Sequence, residues 1–168
     1  MQVYLLIALI IRFRWFFISL FALAILSDLF GTPSETKVCG TVTKVYNGDT
    51  IQVTDKKHLK IRLAEIDAPD IKQKHGITAR NALRKKVLKK KVCVLVAGEN
   101  QHNVRLGTVY FSNGEKINYW LVKNGHAWHH KNYAQKGSCL RGEKAARTQK
   151  IGLWASDNPQ EPWLWNKK

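Results

Sequence analysis

Acidic residues are scarce in this sequence of 168 residues: 12 Asp and Glu stand against 28 Lys and Arg, a formal net charge of +16. All of that excess lies beyond residue 36, because Arg12 and Arg14 are cancelled by Asp28 and Glu35. A field of this sign attracts polyanions such as nucleic acid, an anionic membrane or an acidic polysaccharide. Charge alone does not choose among them, and a basic surface that only keeps a protein soluble has the same composition.

Cysteine is sparse as well, with only Cys39, Cys93 and Cys139. Their wide spacing and odd number exclude the paired cysteines of a zinc motif. An exported domain has room for one disulfide and one free thiol, but three small buried side chains fit the sequence equally well. Internal repeats and low-complexity tracts are absent too. With 45% apolar residues, the sequence indicates a globular domain rather than a disordered chain.

The first thirty residues differ in composition from the rest. Two apolar runs, residues 3–11 and 15–26, are separated by Arg12 and Arg14. A single span through both runs would place two arginines near the middle of a bilayer, at a cost of about 2.5–3.5 kcal/mol each. We therefore predict that residues 1–30 form a signal peptide or an uncleaved anchor that contacts the membrane. The protein is then secreted, periplasmic or membrane-anchored, with its domain outside the cytoplasm, and residues 31–37 form a linker.

The remaining sequence shows mostly β-strand patterning. Leu59, Ile61 and Leu63 alternate with polar residues and so share one face of a strand. The Asn47-Gly48 turn joins the first two of three consecutive strands, which predicts an antiparallel meander. Five segments are predicted strands: 38–46, 50–54, 58–66, 92–96 and 105–111.

Helical spacing appears in three further segments. Residues 77–90 predict a basic amphipathic helix, and residues 117–123 a short helix stopped by Asn124-Gly125. Ser138 is a candidate N-cap for a last helix that extends to residue 149. Five short strands with two or three helices predict a mainly β, α+β domain in which helices pack on a small barrel.

Two acidic and two basic side chains are candidates for chemistry. Asp49 lies at the first turn and Asp67 at the end of the third predicted strand. Two carboxylates converging with a backbone carbonyl and waters would suit Ca²⁺, which takes about six to eight oxygen ligands. Either Asp alone is explained as well by a turn. Arg62 and Arg105 carry planar guanidinium groups that fit two phosphate oxygens and could stabilise a phosphoryl transition state.

These residues resemble the first signature of the staphylococcal nuclease family, which runs Asp-Gly-Asp-Thr-apolar, then Arg, then apolar-Asp-x-Pro-Glu. The family's second motif, Asp-basic-Tyr-Gly-Arg, falls at residues 101–105, where only Arg105 is kept. Gly114, Asn118, Gly125 and Gly152-Leu153-Trp154 also fit, so the resemblance covers residues 38 to about 155. The first signature appears here as Asn47-Gly48-Asp49-Thr50-Ile51, Arg62 and Ile66-Asp67-Ala68-Pro69-Asp70.

The resemblance implies a five-stranded OB-type β-barrel with three helices, preceded by the apolar segment. The nuclease domain would span residues 38–155, followed by a Trp/Pro-rich tail at 156–168. The implied activity is that of a Ca²⁺-dependent endonuclease, a hydrolase that cleaves phosphodiester bonds of DNA or RNA with little sequence specificity. We expect it to act as a monomer.

The resemblance also implies a role for each site residue. Asp49, Asp67 and the Ala68 carbonyl would hold Ca²⁺. Arg62 and Arg105 would bind the scissile phosphate. Asp70 stands where the family has a Glu proposed as the general base on the attacking water.

Three of the departures from the family pattern bear on the predicted site. Asn47 replaces an Asp, and Asn103 replaces the Tyr of the second motif, so Tyr133 is the candidate for a hydroxyl that contacts the substrate. Asp70 is one methylene shorter than Glu, and general-base catalysis, worth about 10²–10⁴-fold, depends on reach. The alternative function is therefore a non-catalytic nucleic-acid-binding barrel. We favour the enzyme because all five catalytic positions keep a residue of the right chemical type.

Aromatic and histidine residues cluster towards the C-terminus. His126, His129 and His130 lack the Glu of the H-E-x-x-H motif and an adjacent Cys, so we expect an exposed loop facing nucleic acid rather than a zinc site. Trp163 and Trp165 could stack on bases, but we expect them to pack onto the barrel.

Overall fold

The computed structural model describes residues 36–99, 104–133 and 137–165. The predicted N-terminal segment, most of the linker and residues 101–103 of the second motif lie outside these ranges. The strands are β1 Thr36–Val45, β2 Thr50–Thr54, β3 His58–Leu63, β4 Ile66–Asp67, β5 Lys91–Glu99, β6 Val104–Tyr110 and β7 Trp128–His129. The helices are α1 Gly76–Val87, α2 Ile117–Lys123, α3 Ser138–Thr148 and α4 Pro162–Trp165, with a 3₁₀ helix at Gly152–Ala155.

Five strands close into a barrel in the order β1-β2-β3-β6-β5. The pairs β1–β2 and β2–β3 are antiparallel, which confirms the predicted meander. Strands β3 and β6 are parallel and close the barrel, while β5 pairs antiparallel with both β1 and β6. The prediction of an OB-type α+β fold is confirmed.

The core fills the barrel and the space beneath its helices. Ile51 and Val53 of β2 and Ile61 and Leu63 of β3 are fully buried, as their alternation predicts. Each apolar side chain of this size contributes about 1.5–3 kcal/mol when removed from water. Helix α1 buries a stripe at positions three and four residues apart, which confirms its amphipathic pattern. That stripe consists of Gly76, Ala79, Leu83 and Val87.

Two predicted elements end three residues earlier in the structure, whereas three others end one residue earlier. The third strand stops at Leu63 instead of residue 66, because Glu65 adopts a left-handed φ of 66°. Helix α1 ends at Val87 rather than residue 90. Two residues after the helix, Lys89 adopts a φ of 62°, and its N–H donates to the Val42 carbonyl of β1. This hydrogen bond holds the end of the helix against β1.

The predicted cap of the last helix is also wrong. Ser138 is the first helical residue, Gly137 is the N-cap, and no side chain among the described residues caps this end. The fourth helix, Pro162–Trp165, is an addition to the three that were expected. It belongs to the C-terminal tail, whose Trp163 lies edge-on to Trp128, with ring centroids 5.7 Å apart. Trp163 thus packs on a small apolar cluster of Trp128, Ala146, Leu153 and Trp154 beside the main core.

Two of the three cysteines form a disulfide, and the third is a free thiol. Cys39 of β1 and Cys93 of β5 are register partners and form a disulfide. Cys139 is a buried free thiol, and burial raises its pKa to about 12. The interpretation of one disulfide and one free thiol is therefore confirmed, and that of three buried side chains is wrong, because Cys39 is exposed and Cys93 only partly buried.

Within the ranges that the structure describes, no helix is long and apolar enough to cross a membrane.

Candidate active site

Asp49 lies in the turn between β1 and β2 and is 1% exposed. Its N–H donates to the Asn47 side chain at 3.2 Å, which tightens the turn. The carboxylate accepts bonds from the Thr50 hydroxyl at 2.8 Å and from the Ala68 N–H at 3.0 Å. Gly48 makes this approach possible, because a Cβ there would lie 2.6 Å from that of Ala68. The turn and the segment after β3 are therefore held in direct contact.

Asp67 belongs to the short strand β4, which pairs with β7. This pairing is the reason that the chain breaks after Leu63 and enters a second sheet. Asp67 is 8% exposed. Burial, and then the nearby Asp49, raise the pKa of Asp67 to about 6, although Arg62 opposes them. The two buried carboxylates thus repel each other, and a cation between them would be stabilised.

Arg62 points out of β3 and bridges the two carboxylates. Its Nη2 lies 2.6 Å from Asp67 Oδ1 and 3.3 Å from Asp49 Oδ2, and its Nη1 is 3.4 Å from Asp49 Oδ1. Burial lowers the pKa of Arg62, but Asp49 and Asp67 outweigh it and raise that pKa above its ordinary value. Its side chain is 38% exposed, so one side of the guanidinium faces solvent. The remaining N–H groups on that side are available to an anion.

Asp70 lies in the loop after Pro69, before α1. Its carboxylate accepts the Lys72 N–H at 2.9 Å, and its own N–H donates to the Gln73 side chain at 3.1 Å. Gln73 is 5% exposed and donates its amide to the Gln160 carbonyl at 2.7 Å. The loop that carries Asp70 is therefore tied to the C-terminal tail.

Arg105 and Tyr133 come from other elements. Arg105 lies in β6 opposite Ile61, the residue before Arg62 on the neighbouring strand. Tyr133 follows β7, and its N–H donates to the His130 carbonyl at 3.0 Å. Tyr133 also contributes to the raised pKa of Arg62, which places it near the guanidinium.

The structure thus brings Asp49, Asp67, Ala68 and Arg62 into direct contact. Asp70 lies in the loop that immediately follows, Arg105 in the adjacent strand and Tyr133 near Arg62. The chemical role of each residue stays a prediction.

The expectation of an exposed histidine loop is wrong. His129 is 6% exposed and its N–H donates to the Glu143 carboxylate of α3. His126 is partly buried against His75, with their ring nitrogens 3.2 Å apart. The pairing of β7 with β4 and the hydrogen bond to Glu143 bury this segment. Neither contact can be predicted from the sequence of the segment alone. Within the described ranges, no group of three or more His, Cys, Asp or Glu side chains is placed to hold a metal.

The sequence analysis gave no role in the site to Thr50 or Gln73, and it placed His130 in an exposed loop. The Thr50 hydroxyl orients Asp49, and its place inside the first signature was a usable signal. His130 interacts electrostatically with the site: burial first, and then the positive charge of Arg62, lower the pKa of this imidazole. Gln73 supports the loop of Asp70 through a partner 87 residues away, so no local signal could have identified it.

Known proteins resemble this chain over most of its length. A family described as "Staphylococcal nuclease homologue" matches residues 60–156. An "Uncharacterized endonuclease" of Haemophilus influenzae is 35% identical over 148 residues, covering 87% of this chain and 82% of the relative. A "Micrococcal nuclease" of Shigella flexneri is 33% identical over 146 residues, covering 80% and 84% respectively. "Staphylococcal-like nuclease CAN1" of Arabidopsis thaliana is 38% identical over 111 residues, 66% of this chain and 34% of the relative.

The closed five-stranded barrel and these sequence matches together define the class of protein to which this chain belongs. The chain belongs to the staphylococcal nuclease family. The names of its relatives support a nuclease function that acts on nucleic acid.

Proposed function

We propose that this protein is a Ca²⁺-dependent nuclease that hydrolyses phosphodiester bonds of DNA or RNA with little sequence specificity. The observation that carries the proposal is the contact of Arg62 with the buried carboxylates of Asp49 and Asp67. This arrangement offers oxygen ligands for a cation and a guanidinium for a phosphate, side by side. The net charge of +16 suits a polyanionic substrate.

The donor set fits a hard divalent cation. Asp49, Asp67 and the Ala68 carbonyl would supply oxygens only, which Ca²⁺ prefers, with waters to complete the shell. The two carboxylates and one guanidinium sum to a formal charge of −1, and burial, followed by repulsion from Asp49, raises the pKa of Asp67 to about 6, so a cation would stabilise the ionised pair. A divalent cation bound here would supply Lewis-acid stabilisation of the charge that develops on the phosphate.

The protein's own groups perform the remaining tasks. Arg62 orients a phosphate through the N–H groups on its solvent side, and its ion pairs with Asp49 and Asp67 hold it in place. Arg105, on the adjacent strand, is proposed to bind the same phosphate. Asp70 is proposed to accept the proton of the attacking water. Its Oδ1 is engaged by the Lys72 N–H, which leaves Oδ2 for that proton.

Chelation tests the metal dependence. Cleavage of plasmid DNA and of RNA should stop in a chelator and return with added Ca²⁺. Asp49→Asn should need more Ca²⁺ for half-maximal activity, whereas Asp157→Asn, an exposed acid in the tail, should match the parent. Full activity in chelator contradicts the assignment of Asp49 and Asp67. Tight DNA binding without cleavage under Ca²⁺ would favour the non-catalytic binding barrel.

We further propose that residues 1–36 direct the domain out of the cytoplasm. The support is compositional: an apolar run follows two arginines, as in a signal peptide or anchor. Fused to a reporter enzyme, these residues should export it or attach it to the membrane. A freely cytoplasmic, active reporter would contradict this proposal.

A further inference from the structure

Strands β1, β2 and β3 present an outer face opposite the core. On β3, Ile61 and Leu63 point inward, so Lys60 and Arg62 point outward. Lys60 pairs with Gln52 of β2, which in turn pairs with Lys44 of β1. The outer face therefore carries basic residues from two strands, and Lys60 lies only about 6–7 Å along β3 from Arg62.

Tyr46 lies at the centre of this face. Its N–H donates to the Thr50 carbonyl and its hydroxyl donates to Gln52 Oε1, both at 2.9 Å. Lys44 Nζ and Lys60 Nζ lie 4.6 and 4.9 Å from the centre of its ring. Each ammonium group is therefore attracted to the same ring, which the hydroxyl bond holds in place. We call these three residues the lysine–tyrosine patch.

The charge of the patch is not neutralised within the described part of the protein. Lys86 and Lys116 form ion pairs with Glu115 and Glu65, but neither exposed lysine of the patch pairs with a carboxylate. Two adjacent like charges raise the free energy of the folded protein unless an anion binds them. The cation–π contacts use the charge of both lysines but do not neutralise it, so both charges remain available to a polyanion.

We propose that the lysine–tyrosine patch is a second phosphate-binding site for the nucleic-acid substrate, next to the site of Arg62. The inference rests on the proposed nuclease function, since it takes Arg62 to hold the scissile phosphate. The same outer face is continuous from Arg62 through Lys60 to Lys44, so one strand of nucleic acid contacts both sites with neighbouring phosphates. Lysine binds each phosphate as a point charge and reads no base, which agrees with low sequence specificity.

Salt dependence of binding tests the proposal. Binding of a labelled single-stranded oligonucleotide to the full-length chain is measured over a salt series, in chelator to prevent cleavage. The test variant is Lys44→Gln/Lys60→Gln. The matched control is Lys123→Gln/Lys144→Gln, which removes the same charge from exposed lysines of α2 and α3.

Loss of two phosphate contacts should make the log–log salt slope shallower by about 1.4, since each contact on a single strand contributes about 0.7. The control should keep the parent's slope. With Ca²⁺ restored, the test variant should show a higher KM for the oligonucleotide and an unchanged kcat. Equal slopes for the test and control variants would overturn the proposal. Weaker binding to phosphatidylserine vesicles with an unchanged oligonucleotide slope would assign the patch to a membrane and overturn it too.

The proposed nuclease function and the proposed phosphate-binding patch can each be contradicted without the other. A parent that binds the oligonucleotide but never cleaves it contradicts the nuclease function. The slope difference between test and control variants still decides whether the patch binds phosphate.

Discussion

Arg62→Ala is the sharpest perturbation of the proposed active site. In the structure this guanidinium contacts Asp67 at 2.6 Å and Asp49 at 3.3 Å, and its outer side faces solvent. Removing one preorganised donor from a transition state costs about 2.7–4 kcal/mol, on the order of 10²–10³-fold in rate. We expect kcat to fall by that amount. Arg62→Lys should recover little, because an ammonium cannot reach two carboxylates and a phosphate with a planar fork.

The same change should affect stability much less. Breaking a buried ion pair costs about 3–5 kcal/mol, but the Arg62 side chain is 38% exposed, so we expect roughly 1–2 kcal/mol. Thermal unfolding then verifies that the variant is folded at the assay temperature. A rate loss that greatly exceeds the stability loss is the signature of a residue that contacts the substrate.

The assay measures initial cleavage rates of a fluorogenic oligonucleotide at saturating Ca²⁺. Arg84→Ala, which removes an exposed guanidinium from α1, is the matched control and should cleave like the parent. If Arg62→Ala cleaves at the rate of Arg84→Ala, Arg62 does not bind the scissile phosphate. If Arg62→Lys retains the full parent rate, the two-point contact is not needed and charge alone suffices.

Three further predictions concern the base, the disulfide and acid stability. Asp70→Asn should slow cleavage strongly and leave DNA binding intact. Asp70→Glu should raise the cleavage rate if the short side chain limits proton transfer. If Asp70→Asn cleaves as fast as the parent, Asp70 is not the general base. Reducing Cys39–Cys93 frees a loop of 54 residues and should lower the free energy of unfolding by about 4 kcal/mol, seen as a lower urea midpoint. Burial and then His75 lower the pKa of His126 to about 4, so the unfolded state binds its proton first. That contribution to stability is lost as pH drops from about 6.5 to about 4, so the parent should lose more stability over this window than His126→Gln, with exposed His58→Gln as the matched control.

The local sequence pattern was sufficient to predict those strands and helices that have one apolar face. The alternation of Leu59, Ile61 and Leu63 predicted the face of β3 that the barrel buries, and the Asn47-Gly48 turn predicted the β1–β2 hairpin. Residues 50–54 match β2 in both bounds. These features depend on period and turn chemistry, which involve only neighbouring residues.

Pairing across the barrel could not be predicted in this way. The third strand was predicted to continue to residue 66, because nothing local indicates that Ile66–Asp67 pairs with Trp128–His129 instead. The disulfide was left open for the same reason, since it requires β1 beside β5. The histidine segment was predicted to be exposed, because its partner Glu143 lies in helix α3, outside the segment itself.

The sequence by itself determined the charge, the meander, the amphipathic helix and the identity of the acids and arginines, since each is a property of residue type and short spacing. Only the tertiary structure decided that Arg62 lies between Asp49 and Asp67, that Gln73 ties the Asp70 loop to Gln160, and that Lys60 and Lys44 meet at one ring. The physical reason is that such contacts join segments far apart in the chain. Their geometry is set by barrel closure and register, which no single segment encodes.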